Sequence, residues 1–180
     1  MSSSKKTHTK KASGKKKAHK RKVEAVPELY GTVTPHLIVS PCAEAIELYK
    51  RAFGAKTLMV MDAGGVVMHA EIKIGDSVVM LSDEMPAMPG RASNRKTPKT
   101  VGATTGGVML YVKNVDKWFQ RAIEAGCTPS MPVTDMFWGD RYGQLEDPFG
   151  HIWAIATHTK DLTPKEMKAA MAYAGPPTGE

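Results

Sequence analysis

The chain carries one order of elements twice, and that duplication restricts its fold more than any other feature of the sequence. In the first copy Thr32–Ser40 reads as a strand. Ala43–Phe53 reads as a helix with Ile46, Leu48, Tyr49 and Phe53 on one side and Gly54 as its stop. Lys56–Met61, Val66–Ile74 and Ser77–Ser82 read as three further strands, turned by Gly64-Gly65 and Gly75-Asp76. The second copy repeats the order: strand Gly107–Val112, helix Val115–Ala125 with Trp118, Phe119, Ala122 and Ile123 on its apolar side, and Gly126 as stop. Strands Thr128–Thr134, Tyr142–Glu146 and Ile152–Thr157 follow, the last two turned by Asp147-Pro148-Phe149-Gly150. The helix stops lie 72 residues apart, and Gly75 and Gly150 lie 75 apart. The pattern predicts an α+β fold of two βαβββ modules, residues 29–82 and 106–158, within a domain spanning 29–160.

The charge is distributed against this plan. Of 25 Lys+Arg, ten fall in residues 1–22, which hold no acid; the remainder of the chain sets 15 basic residues against 18 Asp+Glu. The formal charge of +7 on 180 residues therefore belongs to a tail, and a basic DNA-coating domain is excluded. Residues 1–28 are polar and Lys-dense, a composition that cannot offset its own ordering entropy, so a disordered tail is expected. Two readings of it stand: weak, salt-sensitive and non-specific nucleic-acid binding by residues 5–22, or a solubilising appendage. No apolar run of about 18 residues predicts a membrane span, and the Lys-rich start lacks the apolar core of a secretory signal. Cys42 and Cys127 form no CxxC, which argues against a zinc ribbon or disulfide framework and points to a reducing, cytoplasmic setting. Cys42 stands just before a helix, where a thiol can be activated or can simply be a small residue at a helix start. No GxSxG, P-loop or GxGxxG occurs.

Residues 83–105 form a Pro-, Gly- and Ser-rich linker, read either as a lid or as a tether. In residues 161–180, Thr163-Pro164-Lys165-Glu166 is a capping box that opens a C-terminal helix of about two to three turns.

A βαβββ module packs one sheet face on its helix and leaves the other free. Two modules joined edge to edge would bring the free faces together as a cup. The Gly75-Asp76 turn sets the side chains of that face. A two-residue loop opposes Ile74 to Ser77, Lys73 to Val78, Glu71 to Met80 and His69 to Ser82, and opposed residues share a face. His69, Glu71 and Met80 then line the cup, while Ala70, Ile72, Val79 and Leu81 pack on the helix.

The βαβββ duplication, the AIELYKRAFGA helix, MHAEIKIGDSVVMLSDE and WGDRYGQLEDPFGHIWAIATH resemble the vicinal oxygen chelate superfamily of glyoxalase I, bleomycin-resistance proteins and extradiol dioxygenases. The similarity is greatest to its PhnB-like branch and covers about residues 30–170. The resemblance implies the mixed-sheet cup of that fold, a small-molecule ligand, and assembly within one chain or as a homodimer, of which the homodimer is expected. Metal-using members place one ligand on the first and fourth strands of each module. Here those positions fall on Thr34, Met80, Gly107 and Ala154, which are poor ligands for a divalent ion. No cofactor is therefore expected at the usual site. A divalent metal held by His36, His69 and Glu71 is the alternative, since two His and a carboxylate form a known ligand set. His151 and His158 fit the family's structural end motif.

Three functions follow. The first is a small-molecule-binding protein whose ligand meets His36, His69, Glu71, Met80, Trp138 and Arg141, with Trp138 and Arg141 otherwise read as a packing and turn motif. The second is a glyoxalase- or dioxygenase-type enzyme using His36, His69 and Glu71. The third is a nucleic-acid-associated accessory protein acting through the tail.

Overall fold

A computed structural model describes residues 23–87 and 94–174. The basic tail over 5–22 and its expected nucleic-acid contact lie outside the described residues, as do residues 88–93 of the linker. Two four-stranded mixed sheets form. The first comprises β1 (His36–Ile38), β2 (Lys56–Ala63), β3 (Val66–Ile74) and β4 (Ser77–Ser82), in the order β1-β4-β3-β2. The second comprises β5 (Gly107–Tyr111), β6 (Thr128–Asp135), β7 (Asp140–Glu146) and β8 (Ile152–His158), in the order β5-β8-β7-β6. In each, the first strand pairs parallel with the fourth, and the other pairs are antiparallel. The helix of each βαβββ unit supplies the crossover that a parallel pair requires. This is the α+β, vicinal-oxygen-chelate type of fold expected from the repeat.

Helix α1 (Cys42–Phe53) buries Ala45, Ile46, Leu48, Tyr49, Ala52 and Phe53. It has no local side-chain cap. Instead Asp83, at the exit of β4, accepts the Cys42 N–H at 2.9 Å and the Ser40 hydroxyl at 2.8 Å. Helix α3 (Val115–Ala125) is capped locally, Asn114 accepting from the Lys117 N–H at 2.9 Å. Gly54 and Gly126 end the two helices in the left-handed region, φ 64° and 115°, where a side chain would be strained. The box at Thr163 and Glu166 caps α4 (Pro164–Ala174), with Glu166 accepting the Thr163 N–H at 2.8 Å.

No strand pairing joins the two sheets. The join expected between strand edges is made by the helices, α1 against α3. Trp153 of β8 is wholly buried and packs on Tyr49 and Phe53 of α1, with ring centroids 4.9 and 4.4 Å away. Asp147 fixes this seam. One of its oxygens accepts the Tyr49 hydroxyl (2.7 Å) and the Trp153 indole N–H (2.8 Å), and the other accepts the Phe149 and His151 backbone N–H groups (2.9 and 3.0 Å). His151 also reaches the Ile38 carbonyl at 3.0 Å, tying the second module to β1. An open groove of about 970 Å³ remains between the start of β4 and β5, lined among others by Val33, Val78, Val108 and Trp118.

Two expectations are corrected. The first strand is His36–Ile38, far shorter than 32–40, and pairs with Met80–Ser82 of β4. The linker is not structureless throughout. Residues 98–101 form a helical turn, α2 (Pro98–Val101), and Pro98 sits against Gly150.

Candidate functional site

The β3–β4 hairpin follows the register the two-residue turn dictates, from Ile74–Ser77 through Glu71–Met80 to Ala70–Leu81, one pair short of His69–Ser82. Ala70, Ile72, Val79 and Leu81 are buried on the helix side. On the opposite face Met80 pairs with both Glu71 and His36, and β2 adds Met59 opposite Glu71 and Met61 opposite His69. One face of the first sheet thus brings together His36, His69, Glu71 and Met80 on a floor of exposed methionines, Met59 and Met61 being 40% and 55% accessible.

The polar groups of this face order one another. Glu71 is buried, its carboxylate receives the His69 Nε2–H at 3.1 Å, and the Tyr30 phenol is the other donor group that acts on it. These donors hold the Glu71 carboxyl below its ordinary range against the opposing effect of burial, and the carboxylate in turn raises the Tyr30 phenol. An ionised carboxylate only accepts, so His69 presents Nε2–H to it and keeps Nδ1 as its unprotonated nitrogen. His36 lies edge-on to His69, ring centroids 6.0 Å apart. Its Nδ1 is 3.4 Å from an Arg95 guanidinium nitrogen and its Nε2 is 3.3 Å from the Ser82 hydroxyl. A guanidinium only donates, so His36 accepts at Nδ1 and carries its proton on Nε2. Burial, the Arg95 charge and His69 together lower its pKa, favouring the neutral ring.

Trp138 and Arg141 lie on the second module, apart from this cluster. The Trp138 indole donates to Asp140 at 3.1 Å. Arg141 pairs with Thr157 across the sheet and turns to the α3 side, where Asp116 grips it at 2.6 and 2.9 Å and Asp135 at 3.2 Å. Its guanidinium is committed to those two carboxylates. The buried Asp140 also accepts the Tyr111 hydroxyl (2.9 Å) and His158 Nδ1–H (2.7 Å), and His158 Nε2 faces Asp161 at 3.0 Å. Burial alone would raise the Asp140 carboxyl; its three donors outweigh that and lower it, while Asp140 and Asp161 raise His158. Cys42 and Cys127 are buried, and burial pushes both thiols up to about 12, so Cys42 is not an activated nucleophile at neutral pH.

The four positions that metal-using relatives employ do not fit a divalent ion. Gly107 and Ala154 offer no donor, Met80 offers a thioether, and the Thr34 hydroxyl points at the Gly31 carbonyl at 3.4 Å. His36 engages Ser82 and Arg95, and His69 engages Glu71. Among the described residues no group of three or more His, Cys, Asp or Glu is arranged to hold a metal. Tyr30 and Arg95 were missed at the sequence level because each lies outside the strands it serves. The one signal available was that an aromatic and a cation flank the module and the linker.

A repeated βαβββ unit builds two open mixed sheets joined through their helices, with a polar cluster on the free face of the first. The chain belongs to the Glyoxalase/Bleomycin resistance protein/Dioxygenase superfamily, whose family model matches residues 31–155. It is 40% identical over 144 residues to the protein Rv0887c of Mycobacterium tuberculosis, covering 79% of this chain and 84% of that protein. It is 26% identical to YjdN of Escherichia coli, covering 68% and 92%. TioX from Micromonospora sp. ML1 superposes with a TM-score of 0.57 at 26% identity, over 71% of this chain and 98% of that one. The PhnB protein from Bacillus cereus, at 16% identity and a TM-score of 0.52, shares the fold. No helix among the described residues is long and apolar enough to cross a membrane.

Proposed function

We propose that this chain binds a small molecule, without a metal, on the free face of its first sheet. His36, His69, Glu71 and Met80 make the site, and Met59 and Met61 give it an adaptable apolar floor. The observation that carries this reading is the buried Glu71 carboxylate, which orients an accessible imidazole on an otherwise methionine-rich face. Burying an ionised carboxylate is costly unless it is fully hydrogen-bonded, and a fold indifferent to that imidazole would not need one there. The exposed Met109 and Tyr111 of β5 and the unpaired outer edge of that strand support completion of the cup by a second copy of the chain. The test is a thermal-shift screen of diverse small molecules on wild type and His69→Ala. Compounds that raise the Tm of wild type by several degrees and leave His69→Ala unmoved support the reading, because only a ligand of the folded site stabilises it. If every hit stabilises both proteins equally, the site is elsewhere. Protein equilibrated with zinc or ferrous iron is expected to hold no stoichiometric metal; a bound ion lost in His69→Ala overturns the metal-free reading.

A second reading rests on Nδ1 of His69, which has no hydrogen-bond partner among the described residues. A carboxylate-oriented imidazole with an open nitrogen is the arrangement of a general base, and Tyr30 and Glu71 would position it as an enzyme of this superfamily needs. For the Lys-rich tail, weak non-specific nucleic-acid contact is the proposal. It predicts that a chain starting at Pro27 loses low-salt DNA retention.

A further inference from the structure

We infer that Arg95 is the anion anchor of this site, and that its ligand carries a carboxylate or phosphate group on an apolar body. The inference rests on the first-sheet site proposed above and adds the chemistry of its ligand.

The linker returns to the body through a clamp. Glu84, just beyond β4, donates its N–H to Ser40 at 3.0 Å. Its carboxylate accepts the Lys96 ammonium (2.7 Å), the Thr100 hydroxyl (2.7 Å) and the Thr97 N–H (3.0 Å). Lys96 first, and then the two threonines, hold the Glu84 carboxyl down to about 2. Thr97 in turn caps α2. These bonds fix the backbone at residues 96–100, and Arg95 is the residue immediately before them. The entropy of placing its long side chain over the site is thereby partly met before any ligand arrives.

Arg95 then meets His36 with no acidic partner among the described residues. Of its five N–H donors, the structure gives it one acceptor, the neutral Nδ1 of His36 at 3.4 Å. No carboxylate pairs with it among the described residues. The contrast with Arg141 is direct, since that guanidinium holds two aspartates. The nearby acid of the site, Glu71, is engaged by Tyr30 and His69, and Glu84 by Lys96. A guanidinium matches a carboxylate or phosphate with two parallel hydrogen bonds, which a single imidazole nitrogen cannot supply. Below it, Met80, paired with His36, and Met59, paired with Glu71, receive the apolar body.

His36 serves as the reporter. The Arg95 charge contributes to its lowered pKa, so an anion docked on Arg95 will raise it, and so will Arg95→Gln in the free protein. The experiment titrates the full chain, as wild type, Arg95→Gln and Arg95→Lys, with benzoate, inorganic phosphate and benzyl alcohol. Binding is read from His36 ring and methionine methyl NMR signals. Benzoate is expected to bind wild type with a rise in the His36 pKa, and Arg95→Gln to weaken it about tenfold, Arg95→Lys falling between. Phosphate should raise the His36 pKa more weakly, lacking the apolar body. Benzoate affinity within about twofold of wild type in Arg95→Gln overturns the anchor. In that case, methyl shifts with benzyl alcohol that persist in the variant leave the site itself standing. If no probe moves the Met59, Met61 or Met80 methyls in any protein, both the site and the anchor fall. Arg95 is exposed, so equal Tm values for the three proteins confirm that folding is not what changed.

Discussion

In the second module, Asp147 gathers four donors and Asp140 three, and each donor belongs to a strand, turn or helix that must be held in place. In the first module, Glu71 has one hydrogen-bonded donor, His69, whose second ring nitrogen has no hydrogen-bond partner among the described residues. The modules share a topology, yet the arginine of one is clamped by two carboxylates while Arg95 beside the other has none among the described residues. The difference teaches where chemistry can reside in a duplicated fold. A polar group whose hydrogen-bonding capacity is filled from within stabilises; one left partly unfilled on an accessible face is available to a ligand.

The largest effect should come from Asp147. Its replacement by Ala leaves the Tyr49 hydroxyl, the Trp153 indole and two backbone N–H groups without an acceptor at the seam between modules. Denaturant unfolding should show a loss of about 3–5 kcal/mol. A loss below about 1 kcal/mol would mean that the second module's carboxylates are no more structural than Glu71, and the comparison would break. Next is Gly143→Ala on β7, where an added Cβ would stand 2.8 Å from Phe119 Cε2 and 3.0 Å from Val133 Cγ2. Overpacking there should cost about 1–3 kcal/mol by the same measurement, marking how closely α3 is seated on the second sheet. The smallest effect is His158→Gln, read as stability against pH. The folded pKa of His158 is raised above its ordinary 6.5, so its contribution is fully present below that value and is lost as pH rises through the folded pKa. Wild type and variant should therefore converge at alkaline pH. A difference that stays constant across the range would show that His158 acts through packing, not charge.

Much of the fold was legible because its determinants are local. Gly54, Gly126 and the Gly75-Asp76 turn each act within a few residues, and a two-residue turn leaves one register for the hairpin that follows. From that register alone came the face holding His69, Glu71 and Met80. His36 joined it through strand alternation. The strand limits of β1 were not legible, because they are set by pairing with a strand distant in sequence. Arg141 was read as a ligand group from its motif, whereas its side is set by Asp116, 25 residues away on α3. Asp147 read as a turn residue and is one, but its role at the Tyr49–Trp153 seam depends on a helix 98 residues earlier.

The sequence by itself determined the repeat, the class of fold, the separation of a cationic tail from a near-neutral body, and the side-chain set of the first sheet's free face. These follow from spacing, turn chemistry and charge count, which act along the chain. Only the tertiary structure decided that the modules meet through α1 and α3, that Tyr30 completes Glu71, and that the Glu84 clamp brings Arg95 to His36. Those pairings join residues far apart in sequence, and nothing local distinguishes an arginine that carboxylates will clamp from one with no acidic partner among the described residues.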